Sequence, residues 1–293
     1  MNKLGLTTIC LLVSILLTGC FGSSSSTKSE TCPVYAPSLA YLMAQVSSAA
    51  YESDSNKLND ILSDLGLTLD DVRIKDSNTG TQGFLAYNND LVVVAFRGTE
   101  DFKDWISNVQ VWENKMNKTP NCDQSVRVHE GFHDAVKSVV KDGQLFSRIA
   151  ELQQTGRKFY ITGHSLGGAL STLMAYFSAE KEAINIDGVY TYGQPPIGDS
   201  EFRQCYEAQL LDKTFRFVNH KDVVPRLKPN DSLKHVGLLL FLDNDGNLLT
   251  EEPKGLLNTT KNVLDNALIK SHSIDAYISD LEKHRNNNPF ACE

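Results

Sequence analysis

The residues KFYITGHSLGGAL at 158–170 constrain the fold more than any other stretch. Phe159-Tyr160-Ile161-Thr162 has the aromatic and β-branched make-up of a strand. Ala169-Leu170-Ser171-Thr172-Leu173-Met174 reads as a helix. Between them lies Gly163-His164-Ser165-Leu166-Gly167. The two glycines remove side chains that would collide as the strand turns sharply into the helix. A serine capping a helix in a glycine-rich turn is the bland alternative, but the strand before it and the helix after it favour the sharp junction.

The rest of the pattern fits such a junction. Strands are expected over 82–87, 91–96, 158–163, 188–192, 214–219 and 236–243. Leu91 to Phe96 is unbroken and apolar, which suits a strand covered on both faces. Helices are expected over 37–51, 58–65, 130–154, 166–184, 200–211 and 271–283. Strands alternating with helices imply an α/β fold, with a mostly parallel central sheet and helices on both faces. No internal repeat and no domain linker appear after residue 31, so 32–293 reads as one domain.

The start of the chain reads differently. MNKLGLTTICLLVSILLTGC has one lysine, an apolar core and small residues at its end, the pattern of an export signal. Leu17-Thr18-Gly19-Cys20 resembles the lipobox of bacterial lipoprotein precursors, which implies removal of 1–19 and lipidation of Cys20. Ordinary signal cleavage is the alternative. Residues 20–31 then form the lipidated cysteine and a serine-rich tether, giving a membrane-anchored exported protein.

Four cysteines remain: Cys32, Cys122, Cys205 and Cys292. In an exported chain they suggest disulfides, expected here as 32–292 and 122–205. Their spacing suggests no metal site. Asp243-Asn244-Asp245-Gly246-Asn247 departs from the spacing of a calcium loop and reads as a hairpin turn. The net charge of −8 and the lack of a basic stripe argue against a nucleic-acid partner. Oligomeric state leaves no mark in the sequence.

Ser165 at the tip of the junction points to nucleophilic catalysis, which needs a base and a carboxylate to orient it. On this type of fold the chain order is serine, acid, histidine. His220 precedes Asp222, the wrong order for a pair. His235 leads into an apolar run, and His284 sits at a polar helix end. His272 follows the last strand and opens a helix, so it is the expected base. Asp222 follows the strand at 214–219 and is the expected acid. Asp199 reads better as a helix cap, and Asp187 lies at the entering end of its strand. Oxyanion donors are expected from the backbone of Leu166 and from Thr99 in the Arg97-Gly98-Thr99 loop. No cofactor or metal is called for.

Together these residues resemble the class 3 lipase family, which includes the fungal triacylglycerol lipases. The matching stretches are 95–99, Val128-His129-Glu130-Gly131-Phe132, 161–168, Thr191-Tyr192-Gly193-Gln194-Pro195, Asp222-Val223-Val224-Pro225-Arg226-Leu227, and His272 ahead of Tyr277. The resemblance implies an α/β-hydrolase fold, the triad Ser165, Asp222 and His272, and oxyanion donors at Thr99 and Leu166. It implies a lipid ester as substrate, met at a membrane or oil–water interface. A phospholipase A, a short-chain esterase and a non-catalytic envelope binding protein are the alternatives. The family also carries a lid after the oxyanion strand. Here Phe102, Trp105, Ile106 and Val109 fall on one helical face at that position, which equally suits a fixed core-facing helix. Two departures stand out: the charges on Glu100, Asp101, Lys103 and Asp104, and Pro195-Pro196-Ile197 where the family leads one to expect Pro-Arg-Val.

Overall fold

In a computed structural model of the protein, the residues described are 35–99, the main chain of 113–116, and 122–181, 183–227, 232–253 and 271–289. The expected leader and tether, Cys20, Cys32, Cys292 and the four residues of the lid stripe lie outside the described residues.

Among the described residues, eight strands form one sheet. They are β1 (Thr68–Asp76), β2 (Thr81–Tyr87), β3 (Leu91–Phe96), β6 (Lys158–His164), β7 (Ile186–Tyr192), β8 (Thr214–Asn219), β9 (Leu238–Leu242) and β10 (Leu248–Leu249), adjacent in that order. β3, β6, β7, β8 and β9 run parallel, and both edges are antiparallel. A separate hairpin pairs β4 (Glu113–Met116) with β5 (Val126–His129).

Helices cover both faces, as the sequence implies. Leu91, Val93 and Ala95 point toward α1 (Pro37–Ala49), α2 (Ser55–Asp64) and α7 (Ile274–Lys283). Val92, Val94 and Phe96 point the other way, toward α3 (Glu130–Val140), α4 (Gln144–Gln153), α5 (Leu166–Ala179) and α6 (Ser200–Leu210). A strand with apolar residues at both parities is buried on both sides, and all six residues of β3 are.

The local chemistry explains most element ends. Pro37 sits in the first turn of α1, where a missing N–H costs nothing. Asp54 and Asp199 cap α2 and α6, each accepting backbone N–H bonds. The single helix expected over 130–154 is two helices, because Gly143 turns left-handed at φ +75° and Asp142 accepts from the N–H of Gln144. The strand expected over 236–243 begins later, at Leu238, after Gly237 adopts φ +81°. Residues 243–247 make the expected hairpin turn: the Asp243 carboxylate accepts from the N–H of Asp245 and Asn247, and Gly246 has φ +76°.

Cys122 and Cys205 form a disulfide with a Cα–Cα distance of 5.5 Å, joining the segment before β5 to α6. On the chain-entropy view, closing so long a loop stabilises the fold by about 4.5 kcal/mol.

Candidate active site

Strand register brings the site together. Phe96 pairs with Gly163, Gly163 with Thr191, and Tyr192 with Phe217. Residues 97–99, Ser165, Gly193 and 219–222 therefore leave the sheet side by side at its carboxyl edge. Ligands bind at this edge in open α/β sheets.

Ser165 has φ 59° and ψ −128°, and among the described residues it alone combines a side chain with positive φ. Such a conformation costs about 1–3 kcal/mol and needs its surroundings to enforce it. The Ser165 N–H donates to the Tyr192 carbonyl at 2.8 Å. Glycines do the rest. A Cβ on Gly167 would lie 2.2 Å from the Phe96 carbonyl oxygen, and one on Gly163 would lie 2.3 Å from the Gly167 oxygen. The start of α5 therefore rests on the ends of β3 and β6.

The hydroxyl of Ser165 meets Nε2 of His272 at 2.8 Å, and Nδ1 of His272 meets Oδ2 of Asp222 at 2.8 Å. All three residues are buried. Nδ1 faces a carboxylate and so carries the proton, which leaves Nε2 free to accept from the serine. Asp222 has further donors: the Tyr277 hydroxyl at 2.6 Å on Oδ2 and the Val224 N–H at 2.9 Å on Oδ1. Burial pushes the Tyr277 phenol well up, so it stays a neutral donor. Three donors hold this buried carboxylate in one orientation.

Two contributors escaped the sequence reading. Tyr277 and Gly193 both lie in the family-matching stretches, but the sequence reading gave neither a part in the site. Gly193, at φ +61°, is needed for space: a Cβ on it would lie 2.7 Å from Oδ2 of Asp222 and 2.9 Å from the His272 ring. A glycine just past a central strand was the available signal, but the reason for it exists only in three dimensions.

Thr99 and Leu166 line one cavity of about 460 Å³, together with Arg97, Gly98, His129 and Phe132. Leu166 opens α5, so its N–H is among those a helix leaves without an internal partner. The rival residues are engaged elsewhere. Asp199 accepts from the N–H groups of Phe202 and Arg127, and Asp187 from that of Phe159. His235 bonds the Pro225 carbonyl, and His284 bonds the Gly246 carbonyl. His220 lies edge-on to Phe241.

Comparison with known proteins bears on the family and the fold. Residues 93–232 match the family described as Lipase (class 3). The chain is 31% identical over 155 residues to a secreted mono- and diacylglycerol lipase of Fusarium solani, covering 52% of this chain and 44% of that one. It is 30% identical over 204 residues to a chloroplastic phospholipase A1 of Arabidopsis thaliana, covering 56% and 38%. The chain thus spans less than half the length of these relatives. The solved triacylglyceride lipase of Rhizomucor miehei superposes with a TM-score of 0.61 at 24% identity, covering 75% of this chain and 86% of that one. That likeness shows the α/β-hydrolase fold. The matched segment 93–232, the motifs in order and the shared fold make the chain similar to the class 3 lipase family.

Proposed function

We propose that this protein is a serine hydrolase cleaving carboxylic ester bonds of lipids, acylglycerols foremost. The observation that carries the reading is the unbroken hydrogen-bond chain from Ser165 through His272 to Asp222 at a strained turn. His272 takes the serine proton as Ser165 attacks the ester carbonyl. The backbone N–H groups of Thr99 and Leu166 hold the oxyanion, each worth about 3 kcal/mol of barrier. His272 then protonates the leaving alcohol, an acyl-enzyme remains, and a water activated by His272 releases the acid. Asp222 stabilises the imidazolium that forms twice in this cycle. The scheme uses no cofactor.

The Fusarium relative named as secreted supports export. Anchoring through a lipid on Cys20 belongs to this proposal and rests on the leader motif at 17–20. Replacing Cys20 by Ser should release the protein from the envelope membrane fraction in a host that processes lipoproteins.

A fluorophosphonate probe tests the chemistry. The native protein should label, and Ser165→Ala should not. Absence of labelling in native protein favours the binding-protein alternative. The phospholipase A1 relative makes phospholipid the second candidate substrate. Release of acid from triacylglycerols of graded chain length, against phosphatidylcholine vesicles, decides between the two.

A further inference from the structure

His164, the residue just before the candidate nucleophile, is buried and takes no part in the scheme above. Its Nε2 lies 2.5 Å from the main-chain carbonyl of His272. A carbonyl only accepts, so Nε2 must carry the proton. In the neutral ring Nδ1 is then an acceptor, and the Tyr51 hydroxyl donates to it at 2.7 Å. Burial holds this imidazole well below the ordinary histidine range, in keeping with a neutral ring. The His164 and His272 rings lie 4.5 Å apart between centroids.

Two consecutive residues therefore grip residue 272 at opposite ends. Ser165 meets its imidazole, and His164 holds its backbone. Tyr51 extends the grip to the oxyanion loop: a Cβ on Gly98 would lie 2.1 Å from the Tyr51 hydroxyl and 2.8 Å from the His164 carbonyl oxygen. Tyr51 itself follows α1, which is fastened to the sheet by Ser47 on Thr162 at 2.8 Å and by Tyr192 on the Ala40 carbonyl at 2.5 Å.

We infer that His164 is a positioning residue for the candidate base. It fixes the main chain of His272 relative to Ser165, and Tyr51 orients His164 while bearing on the oxyanion loop. The inference rests on the hydrolase reading. It explains a histidine at this position, since the site needs one donor and one acceptor on opposite sides of a rigid ring.

Two substitutions separate the ring's two jobs. His164→Gln keeps a donor near the place of Nε2, and His164→Asn keeps an acceptor near the place of Nδ1. Steady-state hydrolysis of p-nitrophenyl butyrate gives kcat and KM, and fluorophosphonate labelling gives the rate of attack by Ser165. For His164→Asn, kcat and the labelling rate should fall about 10- to 100-fold with KM little changed, as expected for a misplaced base. His164→Gln should recover most of that loss. Tyr51→Phe should lower kcat less than His164→Asn does. A role in stability alone would make the Gln and Asn variants equally active once folded. Equal activity, or an Asn variant faster than Gln, overturns the inference while the hydrolase reading stands. A native protein that neither labels nor turns over overturns both.

Discussion

On the α5 side of the sheet, Val92, Val94, Phe159 and Ile161 meet Leu173, Met174 and Phe202, and glycines let backbones approach. On the α1 side, contact also runs through directional bonds. Thr162 Oγ1 meets Ser47 Oγ at 2.8 Å and the Tyr190 carbonyl at 2.9 Å, and Tyr51 meets His164. Close apolar packing fixes how near two elements come. Hydrogen bonds fix angle as well, because they weaken steeply when bent. Ser165 is located by close backbone packing together with its N–H bond to Tyr192, and the backbone of the candidate base by the bond from the His164 ring. A candidate nucleophile on a rigid turn is oriented by its own backbone, whereas a candidate base on a separate segment takes its orientation from its contacts.

The strongest way to break this comparison lies at Gly193, where the Asp222–His272 pair rests directly on backbone. Gly193→Ala places a methyl within 2.7 Å of Asp222 Oδ2 and forces positive φ on alanine. Ester hydrolysis should fall about 100-fold or more, in a protein that keeps its far-ultraviolet dichroism. Near-native rates would mean that the pair does not need this contact.

A second pair of variants sharpens the contrast between faces. Leu173→Ala removes a fully buried side chain from the α5 side and should cost about 2–5 kcal/mol in urea unfolding, with kcat little changed. Thr162→Val removes a hydroxyl that bonds Ser47 and the Tyr190 carbonyl, and should cost about 1–3 kcal/mol. The smaller loss should carry the larger drop in kcat, since α1 leads to Tyr51. If both variants keep native kcat, the α1 bonds serve stability alone.

How much of this was legible beforehand depended on how local each cause is. Ser165 was readable because strand, glycines and helix lie within thirteen residues. Asp222 and His272 followed from chain order and from the sheet's carboxyl edge. β1 was missed because its apolar signal is weak: in Thr68–Asp76 only Ile74 is buried, Leu69 and Val72 are half-buried, and charged residues lie between them on this edge strand. β5 was missed because four residues, Val126 and Val128 inward, make too short a pattern. Tyr51 lies 113 residues from His164, and no spacing rule reaches that far.

The gentlest test of the contrast is pH. The folded-state pKa of His164 is depressed below its unfolded value near 6.5, because burial disfavours the charged ring. The unfolded chain therefore binds the proton more readily. Stability tied to this group is fully present above about pH 6.5 and is lost as pH falls toward the depressed folded value, with a slope of at most about 1.4 kcal/mol per pH unit. His164→Gln removes that titration and keeps the donor to His272. Its urea midpoint should consequently fall less steeply than that of the native protein between pH 6.5 and the folded value. Parallel acid limbs would mean that His164 is charged in the fold. A charged ring has no acceptor for the Tyr51 hydroxyl, so that result would undo the α1-side half of the comparison.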